Sequence, residues 1–270
     1  MQNAISRRNV LIACGSLTAV PLISQAERVP DPLRKQHFVL VHGAWHGGWA
    51  WKYVAEHLIR AGHSVTTPTL SGLGEHSHTA TTAIDLSTHV EDIVSHIVME
   101  DLSDVVLVGH SYAGMVLPGV LASINERIDS TIFFDAFTPK PGQALSDFIP
   151  ESDKAEQMKH QEKGELAPVP PYDTLAKRFG LEEKKDRDWV AVRLRPQPAL
   201  TFLSPSEAEI IHEGVSYTYI RCERYSGTAI PMSTRWIEND KRWAIKSLDV
   251  HHDAMIIDPL MVSESLLSAV

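Results

Sequence analysis

Cysteine is scarce in this 270-residue chain, which has only Cys14 and Cys222. A disulfide framework is therefore excluded as the source of stability, and a hydrophobic core has to supply it. An excess of basic residues is missing too. There are 25 Lys and Arg against 34 Asp and Glu, a formal charge of −9, with no basic run. Nucleic acid and anionic membrane surfaces are excluded as partners, because both are recognised by clustered cations. No internal repeat and no low-complexity segment is present. What is present is 43% hydrophobic and 22% charged content, enough for a sizeable core and too apolar for a disordered chain.

The first residues, MQNAISRRNVLIACGSLTAVPLISQAER, carry a basic pair, Arg7 and Arg8, an apolar stretch from Val10 to Ile23, and then Ser24-Gln25-Ala26. That order predicts an export signal over residues 1–26, with small residues where a signal peptidase inspects. Ser6-Arg7-Arg8-Asn9-Val10-Leu11 resembles the bacterial twin-arginine signal, which directs folded proteins to the periplasm or beyond. Two other readings are a first domain helix and a membrane anchor, but the stretch is short for a span and is broken by Gly15 and Pro21. Leu11-Ile12-Ala13-Cys14 imitates a lipoprotein box, with too few apolar residues before it. Removal of 1–26 takes away two arginines, Cys14 and no acid, leaving 23 basic against 34 acidic residues, a formal −11. A periplasmic or secreted protein, with no stable membrane insertion once the signal is gone, is the expectation.

From His37 onward, short β-branched runs alternate with longer helical patterns: HFVLVHG, WAWKYVAEHLIRAG, HSVTTPTL, TTAIDLSTHVEDIVSHIVME, VVLVGHS, AGMVLPGVLASI and STIFFDA. This alternation predicts an α/β fold, a mostly parallel central sheet flanked by helices, with strands buried on both faces. From about 139 to 214 the texture changes to Pro, Lys, Glu and Asp with scattered apolar anchors, among them Phe148, Tyr172, Phe179, Trp189 and Phe202. We read this as an inserted, mainly helical cap within a single domain spanning 27–270. The βα pattern resumes with VSYTYIRCE, IPMSTRWIEND, WAIKSLDV and a last helix from Pro259.

Three features carry chemistry. In VVLVGHSYAG, Ser111 follows an apolar strand and is flanked two residues away by Gly109 and Ala113. Small flanks suit a nucleophile elbow, where strand and helix nearly touch, although an ordinary serine cap on a βα turn has the same look. The Gly-rich turn HGAWHGGW, His42 to Trp49, follows the first strong strand. There the amide of Ala44, with that of Tyr112 after Ser111, is a candidate oxyanion donor. Gly43, Trp45 and His110, beside these turns, are expected to line a substrate pocket. Near the C-terminus, SLDVHHDAMIIDP offers His251 and His252 as bases for the serine. A carboxylate must orient that imidazole. Asp135 at the tip of STIFFDA and Glu223 in YIRCERYSG are the two candidates, and Asp135, shorter and straight after its strand, is the better placed.

HFVLVHGAWHGGWAWKYV, LVGHSYAGMV and HDAM resemble the α/β-hydrolase subgroup of plant methylesterases, salicylic-acid-binding esterases, hydroxynitrile lyases and their bacterial esterase relatives. The resemblance runs over 37–139 and 217–258, more than half the chain. It implies the α/β-hydrolase fold, Ser111 as nucleophile, Ala44 and Tyr112 as oxyanion donors, and His252 as base, since the motif reads His-x-x-Met and Met255 follows three residues later. Plant members carry their acid after the seventh strand, and here Tyr225-Ser226-Gly227-Thr228 has no carboxylate. Bacterial relatives with Asp in LDAF-like segments resemble FFDAF, which leaves Asp135 as the acid.

The expected activity is hydrolysis of a small carboxylic ester with an apolar or aromatic part, through an acyl-enzyme and without a cofactor. Two rivals are a cyanohydrin lyase on the same scaffold and a ligand receptor with little turnover. Lyases of the subgroup carry Lys beside the catalytic histidine and a hydroxyl residue in the oxyanion turn, where this chain has Asp253 and Gly43. His76 and His78 near Glu75 lack a third ligand at motif spacing, so no metal is expected. Gly72 and Gly74 are too little of a dinucleotide fingerprint to signal a cofactor.

Overall fold

A computed structural model describes residues 35–270, and the expected export signal lies outside the described residues. Six of the apolar runs become strands: β1 His37–Val41, β2 Ser64–Thr66, β3 Val105–His110, β4 Ile128–Phe134, β5 Ser216–Cys222 and β6 Trp243–Leu248. They pair in the order β2-β1-β3-β4-β5-β6, every pair parallel. Helices between them are α1 Lys52–Arg60, α2 Leu86–Met99 and α3 Ala113–Ile124. After β4 come α4 Glu151–Lys163, α5 Tyr172–Phe179, α6 Lys184–Ala191 and α7 Leu200–Leu203, then α8 Ala229–Thr234, α9 Ala254–Ile257 and α10 Pro259–Leu267. Among the described residues no helix is long and apolar enough to cross a membrane.

Successive strand residues face opposite sides, so each central strand feeds two cores. Val39, Val41, Val105, Leu107 and Phe133 pack with Ile93 and Ile97 of α2 and Val116 and Val120 of α3. Phe38, Leu40, Val106, Val108, Ile132 and Phe134 pack with Val54 and Leu58 of α1 and Val262 and Leu266 of α10. Burial on both faces is why these strands are continuous apolar runs rather than alternating ones. Helix α2 starts on a capping box, in which the Asp85 carboxylate accepts the Thr88 amide at 2.9 Å.

The strand order reverses at β1. Its neighbours β2 and β3 lie on opposite sides, and in open parallel sheets the crevice at the carboxyl ends of such a switch point takes the ligand. The turns after β1 and β3 meet there. The side chain of Leu117 lies over Gly109, where an added Cβ would fall 2.7 Å from Leu117 Cδ1. The close approach of α3 to the chain after β4 occurs one position after Ala113, at Gly114, whose Cβ would fall 2.0 Å from the carbonyl oxygen of Phe137.

Four helices lie between β4 and β5. Phe148, Leu175, Phe179, Leu194 and Phe202 of that segment are buried, while α4 buries none of its residues, as its polar sequence dictates.

Candidate active site

Ser111 leaves β3 with φ at +53°, a conformation a serine adopts only under constraint. The surroundings supply that constraint. Its N–H donates to the carbonyl of Phe134 at 3.3 Å, and its own carbonyl accepts from the amides of Gly114 and Phe137, each at 3.1 Å. The turn after β1 lies directly against it, since a Cβ on Gly43 would come within 3.1 Å of Ser111 Cβ and 2.8 Å of His110 Nδ1.

Asp135 leaves the neighbouring strand β4 in the same left-handed region, with φ at +41°. It is buried, and its amide donates to Ile220 across to β5 at 2.7 Å. One carboxylate oxygen, Oδ1, accepts the Cys222 amide at 3.3 Å; the other, Oδ2, lies 2.6 Å from His252 Nδ1. The opposite ring nitrogen of His252 is 2.9 Å from Ser111 Oγ. Serine, imidazole and carboxylate thus form one hydrogen-bonded line across three separate chain segments. His251 points elsewhere, 3.5 Å from Glu182. Glu223 is exposed and makes no part of the line.

Aromatic rings enclose the imidazole. Tyr225 lies 4.9 Å and Phe179 6.0 Å from the His252 ring, centroid to centroid. Trp45 sits half-buried against Phe179 and Phe202. His110, expected at the pocket wall, is 1% exposed; its Nε2–H donates to the carbonyl of His252 at 3.1 Å from below.

The turn after β1 is tied at each peptide. His42 Nε2 accepts the Leu70 amide at 3.1 Å, so its proton is on Nδ1 and donates to the Gly43 carbonyl at 2.8 Å. A trans peptide is rigid and its C=O and N–H are antiparallel, so holding the Gly43 carbonyl also sets the direction of the Ala44 N–H. The next amide, that of Trp45, donates to the side-chain oxygen of Gln197 at 2.7 Å, and the Trp45 carbonyl accepts from Arg195 at 3.0 Å. Tyr112, the other proposed donor's residue, is anchored through its phenol, which donates to His89 Nδ1 at 2.8 Å while His89 Nε2–H donates to Ser71 at 3.0 Å.

Burial keeps these supporting histidines neutral. His42 is pushed down to about 3, and His89 and His110 are also held below the ordinary imidazole range by the cost of placing charge in the interior. Below pH about 6.5 the unfolded chain binds protons that the folded chain refuses, so stability falls as pH falls, by up to about 1.4 kcal/mol per group per pH unit. Urea midpoints are expected to be flat above about pH 7 and to fall steadily between about pH 6 and 4. A flat profile across that window would show that these rings are protonated in the fold.

Among the described residues, His110, His252 and Asp253 bring ligand-type atoms within 4.8 Å of one another. Two of the three are already committed, His252 to Asp135 and Ser111, and His110 to the His252 carbonyl. His76 and His78 go instead to the carbonyls of Thr69 and Glu75. Sequence reasoning missed Tyr225 and Gln197, which no local motif marks, and the partner of Asp253. The second histidine of HGAWHGGW was in view, but nothing in the spacing linked it to a residue 207 positions later.

The sequence matches the model of the alpha/beta hydrolase family over residues 38–259. It is 33% identical over 245 residues to a carbendazim hydrolyzing esterase from Nocardioides sp. (strain SG-4G), covering 85% of this chain and 98% of that protein. To Methylesterase 1 of Arabidopsis thaliana it is 37% identical over 108 residues, 39% of this chain and 41% of that one. A solved extracellular alpha/beta-hydrolase from a Paenibacillus species has the same fold, with a TM-score of 0.72 at 22% identity over 87% of this chain and 98% of that one.

Proposed function

The chain belongs to the alpha/beta hydrolase family, and we propose that it is a serine esterase that cleaves small carboxylic esters with an apolar or aromatic part. The observation that carries this reading is the line Ser111 Oγ, His252, Asp135, with spacings of 2.9 and 2.6 Å. Ser111 Oγ attacks the ester carbonyl as its proton passes to His252 Nε2. Charge on the carbonyl oxygen is met by the amides of Ala44 and Tyr112. The intermediate then expels the alcohol, which takes the proton from His252. Water, deprotonated by the same nitrogen, attacks the acyl-serine, and the acid leaves with Ser111 restored. Asp135 accepts from Nδ1–H throughout, holding Nε2 bare toward the serine and favouring the imidazolium when it forms.

Tyr225, Phe179, Trp45 and Phe202 support an apolar or aromatic substrate, because flat rings beside the base favour flat or apolar groups. Two of the four, with Gln197, come from residues 139–214, which we read as the cap that shapes the pocket. The names of the relatives, both esterases, point the same way. The cyanohydrin lyase draws no support, since Asp253, buried beside the base, puts a carboxylate where a cation would be needed.

The test is turnover of 4-nitrophenyl acetate by the protein beside its Ser111→Ala variant. Turnover lost in the variant supports the reading, and equal rates in both reject it. The twin-arginine reading of residues 1–26 makes the protein periplasmic or secreted, in keeping with the extracellular Paenibacillus neighbour. Edman sequencing of the exported protein is then expected to begin at Glu27, and an intact Met1 on protein outside the cytoplasm would reject cleavage.

A further inference from the structure

Asp253 follows the base directly and is fully buried, and its Oδ2 lies 3.2 Å from Nε2 of His46, itself 1% exposed. The other nitrogen of that ring, Nδ1, is 2.7 Å from the carbonyl of Ala44. A carbonyl only accepts, so Nδ1 carries a proton; a second proton on Nε2 would let that nitrogen donate to the carboxylate as well and make the ring an imidazolium. Its surroundings suit a cation. The ring stacks on Trp49 at 5.1 Å and 30°, the arrangement that a cation–π contact would use.

We propose that Asp253 and His46 are a charged positioning pair, bracing the chain beside the base to the turn that presents the Ala44 amide. The inference rests on the esterase reading above for its kinetic part. Asp253 is covalently next to His252, and His46 is two residues after Ala44, so one buried contact fixes the two halves of the machinery relative to each other. A charge-assisted bond is shorter and stronger than a neutral one, and a donor held off line costs rate without weakening ground-state binding.

The test combines kinetics on 4-nitrophenyl acetate with ¹⁵N NMR of histidine-labelled resting protein. In the wild type, one ring, identified by its absence from His46→Gln, is expected to have both nitrogens protonated. Asp253→Asn keeps an acceptor but removes the charge, and is expected to convert that ring to the neutral form. Each single variant should lose about 10- to 100-fold in kcat, less than removal of an oxyanion donor itself, with KM changed by less than about threefold. The double variant should be no worse than either single one, as for residues acting as a unit. If Asp253→Asn does not fold, His46→Gln, whose amide can still donate to the carboxylate, carries the kinetic comparison. A neutral His46 ring in the wild type, or kcat within about twofold of wild type in a folded variant, overturns the proposal. Should the wild type turn over no faster than Ser111→Ala, the esterase reading falls while the NMR result still decides the charge of the pair.

Discussion

Ser111→Ala is expected to lower kcat by about 10⁶-fold and to leave KM and the urea midpoint close to wild type. In the proposed mechanism the loss is large because the hydroxyl forms the covalent intermediate, and no neighbouring side chain can replace it in a turn whose backbone is held by Phe134, Gly114 and Phe137. It is not total. The Ala44 and Tyr112 amides would still polarise a bound carbonyl toward water, which in triad enzymes preserves about 10³- to 10⁴-fold over solution. His252→Ala should fall to the same floor, and combining the two should add little, since a serine without its base and a base without its serine are equally idle. Exposed imidazoles such as His76 and His78 hydrolyse activated aryl acetates weakly, so the comparison is best repeated with a methyl ester. Additive losses in the double variant would show that Ser111 and His252 act separately and would break the proposed mechanism.

Asp135→Asn should cost about 10⁴-fold in kcat with the fold intact. The direction follows from the second contact of this carboxylate. The Cys222 amide at Oδ1 needs an acceptor, so the carboxamide oxygen would take that place and the NH₂ would turn to His252. Nδ1 would then have to accept, its proton would move to Nε2, and the ring would present N–H to Ser111 instead of a lone pair. Glu223→Gln is expected to leave kcat within about twofold, because Glu223 is exposed and outside the hydrogen-bonded line. The reverse pattern, with activity surviving Asp135→Asn and failing in Glu223→Gln, would transfer the role to Glu223.

Much of this arrangement is legible in the chain because it is local. The runs FVLV and VVLV read as parallel strands because both of their faces are buried, and the small residues around Ser111 mark a turn whose steric demand is met within a few positions. The choice between His251 and His252 came from a motif, and in the structure His252 lies beside Ser111 and Asp135 while His251 is drawn to Glu182. Asp135 over Glu223 followed from strand-end position and from the missing carboxylate after Tyr225. The packing around the elbow was less legible: no spacing marks Leu117 as the side chain that lies over Gly109, or Phe137 as the chain that meets Gly114. Contacts that join distant segments left no trace in composition or spacing. Gln197 lies 152 residues from the Trp45 amide it receives, and Phe179 reaches the His252 ring from a segment whose texture says only that it is polar and helical.

The bond from the Trp45 amide to Gln197 sets a condition on redesign. Exchanging residues 139–214 for the equivalent stretch of another family member is an obvious route to new selectivity, and such grafts are usually chosen by the residues that would face the ligand. Gln197 is wholly buried and would escape that choice, yet its oxygen holds the turn to which the proposed mechanism assigns the oxyanion. A transplanted segment therefore has to bring its own acceptor to this amide, and one that does not would inherit a pocket of the intended shape around a loosened reaction centre.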